Sequence, residues 1–300
     1  MNACFRAACT LLIVIFLAGC GGGTPLAQVK GRLIGVSFQT MNNPFFVELN
    51  EGLKKVVESH GDTLATLDAQ YDSHKQLNDI SDLIQQNAAA ICINPVNWEG
   101  IKGSLLKAKE KNIPCIIVDA PAADQDLVLC TVASDNVEAG RLAARELLAA
   151  VPNARIVMLD LPINKACIDR VAGFIEELKK HADAKVLDKQ NGKGTTEGGR
   201  PVMQDLLGRY PELNAVFAIN DPSALGAISA LDSAGKLKGV KVVSVDGSAE
   251  AMAAIKAGKL LSTSAQFPKE IGRIAAEQAY NFFDKKPVEK DLKVKVEIVK

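Results

Sequence analysis

The sequence predicts an α/β protein made of two doubly wound parallel-sheet domains. Apolar runs rich in β-branched residues alternate with amphipathic helical patterns along almost the whole chain. Strands of near-continuous hydrophobicity joined by helical crossovers are typical of parallel sheets that are covered on both faces. The strand candidates are also too many for one compact open sheet, and 300 residues is too long for one ordinary core. Two such domains account for both observations.

The strands and helices follow one another in a regular order. The strand candidates are Leu33–Phe38, Thr63–Leu67, Ala90–Ile93, Pro114–Val118, Leu127–Val132, Arg155–Leu159, Lys185–Asp188, Ala215–Ile219, Val240–Val245 and Leu261–Ala265. The helix candidates are Pro44–His60, His74–Asn87, Ile101–Lys111, Asn136–Ala150, Asp169–His181, Arg200–Arg209, Pro222–Ala234, Glu250–Ala257 and Lys269–Phe283. The composition shifts at residues 133–136, where a first sheet would be complete, and a second series begins at Arg155.

Composition and motifs exclude several classes of function. Lys and Arg together number 35, and so do Asp and Glu, which gives no electrostatic case for nucleic acid. No G-x-G-x-x-G follows the first strand and no G-x-S-x-G occurs, so neither a dinucleotide site nor a nucleophile elbow is predicted. His60, His74 and His181 fall at helix ends, where surface positions are expected. We therefore predict no catalytic residue, no metal and no cofactor.

The cysteines downstream of the N-terminal segment do not suggest a redox or metal site. Cys92, Cys115 and Cys130 lie inside β-type apolar runs, and we interpret them as small buried hydrophobes. Cys167 is the fourth. No C-x-x-C motif occurs and the spacing does not indicate disulfides, although an extracytoplasmic location would permit them.

The first 19 residues are similar to a lipoprotein signal peptide. An apolar run from Thr10 to Ala18 is too short to span a bilayer as a stable helix. It leads into Gly19-Cys20, the end of a segment that resembles a bacterial lipobox, in which cleavage precedes the cysteine and lipid is attached to it. We predict lipidation of Cys20 and a lipidated tether over residues 20–31. The alternative is an ordinary signal peptide or anchor helix with a chance cysteine.

Polar side chains follow nearly every predicted strand. They are Asp68, Asn94, Asp119, Asp160, Asn220, Asp221, Asp246 and Gln266. About half would serve as helix N-caps, as Asn43 does before Pro44, and the others would line a crevice between the two domains. Phe45 and Phe46, which follow the first strand closely, are either core residues or an apolar face of that crevice. Carboxylates and carboxamides beside an aromatic face suit a polyhydroxylated ring.

At this point the chain resembles a known family, the periplasmic sugar-binding proteins of ABC importers, which have the type I fold, and it is most similar to the ribose-binding type. The resemblance spans residues 32–300. It is carried by eight short motifs in the same order, which are Met41-Asn42-Asn43-Pro44-Phe45-Phe46, Ile93-Asn94-Pro95, Ile117-Val118-Asp119, Ala133-Ser134-Asp135-Asn136, Asp169-Arg170-Val171-Ala172-Gly173-Phe174, Ala215-Val216-Phe217-Ala218-Ile219-Asn220-Asp221, Val245-Asp246-Gly247 and Ser264-Ala265-Gln266-Phe267-Pro268.

The resemblance implies a domain organisation and a ligand site. The N-terminal lobe would comprise residues 32–133 and 267–293, and the C-terminal lobe residues 134–266 and 294–300, joined by a three-strand hinge. The hydrogen-bonding contacts implied are Asn43 and Asp119 from the first lobe, Arg170, Asn220 and Asp246 from the second, and Gln266 at the hinge. Phe45 and Phe46 would stack on the sugar ring.

Three departures from the ribose-binding pattern leave the sugar open. Ala120 stands where that pattern has an arginine, the loop Asn191–Thr196 lacks its second aromatic ring, and Gln39 replaces a small hydroxyl residue. Losing a charged contact in a buried site costs about 2–5 kcal/mol. Candidates for compensating or additional contacts are Gln39, Asn94, Asn164, Lys165 and Trp98. Either one of these compensates for the arginine or the ligand is not ribose. An acyclic or branched polyol, another pentose or hexose, or an autoinducer-like furanose would fit the remaining residues.

The resemblance implies an extracytoplasmic, lipid-anchored solute-binding protein, in the periplasm or at the cell surface. It would capture a monosaccharide or related polyol by hinge closure and deliver it to the transmembrane subunits of an ABC permease, acting as a monomer. An alternative is a sensor that presents a sugar or autoinducer-like molecule to a membrane receptor. Two further alternatives are less favoured by the sequence. The effector domain of a sugar-responsive repressor would need a DNA-binding helix-turn-helix before the first strand. An enzyme would have to work with carboxylates alone.

Overall fold

The computed structural model describes residues 31–300. The predicted signal peptide, the lipidation site Cys20 and all but the last residue of the predicted tether lie outside the described residues. Within residues 31–300, no helix combines the length and the apolar character needed to cross a membrane.

The described chain folds into alternating strands and helices. The strands are β1 (Leu33–Phe38), β2 (Thr63–Asp68), β3 (Ala90–Ile93), β4 (Cys115–Val118), β5 (Cys130–Ser134), β6 (Arg155–Asp160), β7 (Lys185–Asn191), β8 (Ala215–Ala218), β9 (Lys241–Asp246), β10 (Ser262–Ala265), β11 (Asp291–Val294) and β12 (Glu297–Val299). The helices are α1 (Pro44–Ser59), α2 (Ser73–Gln85), α3 (Lys102–Glu110), α4 (Asn136–Ala150), α5 (Lys165–Leu178), α6 (Thr196–Arg209), α7 (Asp221–Ser233), α8 (Ala249–Lys256) and α9 (Pro268–Phe283).

The strands form two six-stranded sheets of matching order. The first runs β11-β5-β4-β3-β1-β2 and the second runs β12-β10-β9-β8-β6-β7. Every pairing is parallel except that of β12, which lies antiparallel to β10. We call the first sheet with α1, α2, α3 and α9 the first lobe, and the second sheet with α4 to α8 the second lobe. The predicted fold class, two doubly wound parallel-sheet domains, is confirmed.

The chain crosses between the two sheets three times. It leaves the first sheet after β5, returns after β10, and crosses again between β11 and β12. These crossings form the three-strand hinge. The last crossing lies between Val294, which still pairs with β5, and Glu297–Val299, which pair with β10.

Glycines allow one pair of helices in each lobe to pack with their backbones in close approach. A Cβ atom on Gly52 of α1 would lie 2.1 Å from the carbonyl oxygen of Lys269 on α9. In the second lobe, a Cβ atom on Gly140 of α4 would lie 1.9 Å from the carbonyl oxygen of Arg170 on α5. The second contact fixes the helix that carries Arg170 against its neighbour.

The structure corrects the predicted starts of three elements by three or four residues. Helix α5 begins at Lys165 rather than Asp169, because the Asn164 side chain caps it by accepting a hydrogen bond from the Cys167 amide. Helix α6 begins at Thr196 rather than Arg200, because Thr195 caps a first turn whose glycines disfavour helix on propensity alone. Strand β5 begins at Cys130 rather than Leu127, because residues 125–127 form a 3₁₀ turn.

Candidate functional site

The two lobes enclose a small cavity, of about 30 Å³, at the carboxyl ends of their parallel strands. From the first lobe it is lined by Gln39, Asn43, Phe45, Phe46, Tyr71 and Asp119, and from the second by Leu161, Asn164, Ala166, Cys167, Arg170, Asn220 and Asp246. Gln266, which directly follows β10 at a crossing between the lobes, completes the wall.

The apolar part of the wall comes from the start of α1. Asn43 is the N-cap, and its side-chain oxygen accepts a hydrogen bond from the Phe45 amide at 3.0 Å. Pro44 occupies the first helical position, so two aromatic residues follow within the first turn. The Phe45 and Phe46 ring centroids are 5.2 Å apart in an edge-to-face arrangement. This places a fixed aromatic surface beside the polar side chains.

Asp119, directly after β4, brings a buried carboxyl group from the first lobe. Its backbone is left-handed, with φ of 64°. The Asn94 side-chain amide donates to its Oδ2 atom at 3.0 Å. Burial raises the pKa of Asp119 to about 6, although Arg170 and the Asn94 hydrogen bond favour the ionised form.

Arg170 and Asp246 form the polar centre of the second lobe's wall. The Arg170 guanidinium donates to Asn136 Oδ1 and to the Ile219 carbonyl oxygen, both at 2.8 Å, and its Nη1 atom lies 3.4 Å from Asp246 Oδ1. Within residues 31–300, its Nη2 atom makes no hydrogen bond. A rigid guanidinium held on one side therefore offers its remaining donors to the cavity.

Asp246 has the most perturbed carboxyl group in the site. Burial raises its pKa to about 8, and nearby Asp221 adds to the increase, while Arg170 opposes it. The Gln266 amide donates to Asp246 Oδ1 at 2.7 Å. Gln266 Oε1 is itself buried without a partner among residues 31–300. An acceptor left in this state is matched by a ligand that donates, such as a hydroxyl group.

A second buried carboxylate supports the site from behind the wall. Asp221 is fully buried and accepts hydrogen bonds from the Ser244 hydroxyl at 2.5 Å, the Ser248 amide at 2.7 Å and the Thr263 hydroxyl at 2.8 Å. Its own amide lies 3.4 Å from Asp246 Oδ2. This network links β9, β10 and the start of α7, and so fixes the backbone beneath Asp246.

Two hydrogen bonds join the lobes, one at the cavity and one outside it. The Asn164 side-chain amide donates to Gln39 Oε1 at 3.3 Å, and the Trp98 amide donates to the Ile163 carbonyl oxygen at 3.2 Å. The lobes are therefore in contact in this structure. Opening the cleft would break both bonds.

The eight residues predicted as ligand contacts all line this one cavity. Whether they contact a ligand stays a prediction. Of the additional candidates, Gln39 and Asn164 also line it, whereas Asn94 lies behind Asp119 with no exposed surface. Lys165 pairs with Asp169 and, with Trp98, lines a separate groove on the hinge side. Lys165 and Trp98 are therefore not placed to compensate for the arginine that is absent at Ala120.

Four residues of the wall were not predicted: Tyr71, Leu161, Ala166 and Cys167. Tyr71 comes three residues after the end of β2, beyond the positions that directly follow the strand. Cys167 lies one helical turn before Arg170 on α5. This relation was missed because the predicted start of the helix, Asp169, is four residues late. Recognising Asn164 as an N-cap would have revealed it. All four cysteines of residues 31–300 are free and buried, and burial raises the pKa of the Cys167 thiol to about 12.

Two α/β lobes joined by three strands, with a polar cavity between them, define a two-lobed binding protein. A family model described as a periplasmic binding protein domain matches residues 34–287, and the chain belongs to that family. The resemblance found in the sequence is thereby confirmed. Membership implies an extracytoplasmic location, and the members are solute-binding transport proteins.

Several characterised proteins are similar over most of their length. The ribose import binding protein of Bacillus subtilis (strain 168) is 38% identical over 267 residues, which cover 88% of this chain and 85% of that protein. A Shewanella sp. ANA-3 arabinose-transporter binding protein, solved with L-arabinofuranose, has a TM-score of 0.84 and 29% identity, covering 89% of this chain and 91% of its own. A Bacillus halodurans C-125 solute-binding protein, solved with myo-inositol, has a TM-score of 0.84 and 27% identity, with 91% and 96% covered.

Proposed function

We propose that this chain is an extracytoplasmic solute-binding protein of a sugar ABC importer. It captures a monosaccharide or related polyol between its lobes and delivers it to the permease by hinge closure. The observation that carries this proposal is the cavity itself, because its polar and aromatic side chains come from both lobes and from the hinge. A ligand that bridges the lobes binds the closed form selectively and shifts the population towards it.

The chemistry of the wall supports a neutral, polyhydroxylated ligand. Among the lining residues, Arg170 is the only cation within residues 31–300, and it faces the carboxyl groups of Asp119 and Asp246. A sugar acid or sugar phosphate would add negative charge to a site that already has more carboxyl groups than cations. Hydroxyl groups can donate to the carboxylates and accept from the guanidinium, while a C–H face packs on the aromatic rings. The relatives described above support the same class of ligand: one is named as a ribose import protein, and the other two were solved with L-arabinofuranose and myo-inositol.

Thermal denaturation of residues 31–300 with a panel of neutral sugars tests the binding. At a concentration of about 100 times its Kd, a ligand adds roughly 2.7 kcal/mol, which corresponds to about 5–10 °C for a chain of this size. Arg170→Met should abolish the shift. Arg200→Met, at an exposed position on α6 outside the cavity, should preserve it. A panel without any shift, or an equal shift in Arg170→Met, would contradict the proposal.

Lipid attachment and the monomeric state are further parts of this proposal. The sequence around Cys20 supports cleavage before that residue and its acylation. Radiolabelled fatty acid should appear in the full chain expressed in bacteria, should persist in Cys9→Ser and should disappear in Cys20→Ser. Light scattering of residues 31–300 should give the mass of one chain with and without sugar. Label in Cys20→Ser, or a dimer mass, would contradict the respective part.

A further inference from the structure

Tyr71 is the one aromatic side chain in the cavity wall that does not come from α1. It lies in the turn between β2 and α2. Besides the cavity, it lines a groove between the lobes together with Gly194 and Thr195. The ring therefore stands between the enclosed cavity and the outer part of the cleft. Because Gly194 has no side chain, the second lobe supplies no ring at that position.

The turn that presents Tyr71 has an unusual backbone. Gln70 and Tyr71 are consecutive left-handed residues, with φ of 53° and 59°. Non-glycine residues adopt this conformation uncommonly, and such positions concentrate at functional sites. The Tyr71 amide donates to the Gln39 carbonyl oxygen at 2.6 Å, and the Ala69 amide donates to the Phe38 carbonyl oxygen at 2.9 Å. The turn is thus fixed to the end of β1, next to a residue that itself lines the cavity.

The polar environment of the Tyr71 hydroxyl comes from both lobes. Burial raises the pKa of Tyr71 to about 12, and the nearby acidic groups of Cys167, Asp246, Asp119 and Asp68 add to the increase. Cys167 and Asp246 lie on the second lobe, and Asp119 and Asp68 lie on the first. The phenol therefore stays neutral and keeps a proton to donate. Within residues 31–300, its hydroxyl makes no hydrogen bond.

We propose that Tyr71 is a specificity-determining residue of the sugar site, with its ring covering the outward side of the ligand and its hydroxyl hydrogen-bonding one sugar hydroxyl. The inference rests on the proposed function. On this proposal, Tyr71 of the first lobe supplies an aromatic contact to the ligand that the second lobe's loop at Gly194 does not provide. It also adds a neutral donor to a wall whose charged groups are mostly carboxyl groups.

Isothermal titration calorimetry with D-ribose, L-arabinose, D-xylose and myo-inositol comes first, followed by the monodeoxy analogues of the best ligand. Tyr71→Phe should weaken the best ligand about 3–10-fold, the effect of losing one hydrogen bond. For the one analogue that lacks the contacted hydroxyl, Tyr71→Phe should leave the affinity unchanged. The hydrogen bond is already absent from that complex, so removing its second partner has no additional effect. Tyr71→Ala should weaken binding roughly 30-fold or more and alter the ranking of the sugars.

Tyr210→Phe is the matched control, since it removes a hydroxyl that bonds to Asp188, away from the cavity. Its affinities should stay within about twofold of the unmutated protein. A Tyr71→Phe variant that binds all ligands as before, or that loses the same factor for every deoxy analogue, overturns the proposed contact while sugar binding itself stands. If the unmutated protein binds none of the sugars, the proposed function fails and this inference falls with it.

Discussion

Replacing Gly140 by alanine should damage both the stability of the second lobe and its ligand site. Gly140 lies on α4, and the added Cβ atom would be 1.9 Å from the carbonyl oxygen of Arg170. The obstacle is backbone on α5, which cannot rotate away as a side chain can. The helix must therefore retreat, and it takes with it the arginine at the centre of the cavity wall.

The size of the effect follows from this contact. Ordinary van der Waals separation begins at 3.4 Å, so α5 must move by about 1.5 Å at this point. Overpacking of this kind costs roughly 1–3 kcal/mol of folding free energy. Binding sites tolerate displacements of only about 0.5 Å. The hydrogen bonds from Arg170 to Asn136 Oδ1 and the Ile219 carbonyl oxygen, both 2.8 Å long, would be disturbed. We expect the sugar affinity to fall at least about tenfold.

Urea denaturation and calorimetric titration of Gly140→Ala measure the two effects separately. Gly208→Ala is the control, because a Cβ atom added to this exposed glycine of α6 would meet nothing within 4 Å. That variant should gain about 0.4–1 kcal/mol by restricting the unfolded chain, with unchanged affinity. If Gly140→Ala denatures at the same urea concentration as the unmutated protein and binds sugar equally well, the close packing of α4 on α5 does not position Arg170.

Three further predictions concern the buried carboxyl groups and the contact between the lobes. Because burial raises the pKa of Asp119 to about 6 and of Asp246 to about 8, both bind protons more strongly when folded than when unfolded. The free energy of unfolding without ligand should therefore fall as the pH rises from about 4 to about 8; thermal melts should show this decline, and Asp246→Asn should make it shallower. Asp221→Asn replaces one of the two carboxylate oxygens that accept hydrogen bonds from Ser244, Ser248 and Thr263 by an NH2 group. It should lower the free energy of unfolding in chemical denaturation by roughly 3 kcal/mol, and a decrease below about 1 kcal/mol would contradict the importance of this network. Trp98 is the only tryptophan of the chain and touches the second lobe, so sugar-driven closure should change its fluorescence, and an emission spectrum unaffected by saturating sugar would contradict closure at this contact.

The fold could be predicted because its strands are buried on both faces. A strand such as Ala90–Ile93 is fully buried, and its unbroken hydrophobicity is visible in the sequence. Helix starts were harder to predict. Helix α6 begins with a turn that contains two glycines and is stabilised by the Thr195 cap rather than by propensity. A cap is one hydrogen bond, and its effect depends on a backbone conformation that residue type alone does not determine.

The position of the candidate site could be predicted, but the roles of its polar residues could not. Asn94 and Asn220 follow β3 and β8, which occupy equivalent places in the two sheets. Asn220 caps α7 and lines the cavity, whereas Asn94 is buried behind Asp119 and supports that carboxyl group. The difference depends on what packs around each side chain. Tyr71 was missed for a related reason, since two left-handed residues turn its ring towards the cleft.

The charges of the wall suggest why a ligand would be needed to hold the lobes together. Asp119 directly follows β4 and Asp246 ends β9, and these strands occupy equivalent places in the two sheets. Closure brings both carboxyl groups to one cavity, where Arg170 is the only cation among the lining residues of the described chain. Without ligand, closure removes water from both carboxyl groups, which disfavours their ionised forms. A sugar restores the lost hydrogen bonds by donating hydroxyl groups to the carboxylates. Because only a molecule with donors directed at both lobes relieves this cost, the same residues that would select the sugar also favour closure around it.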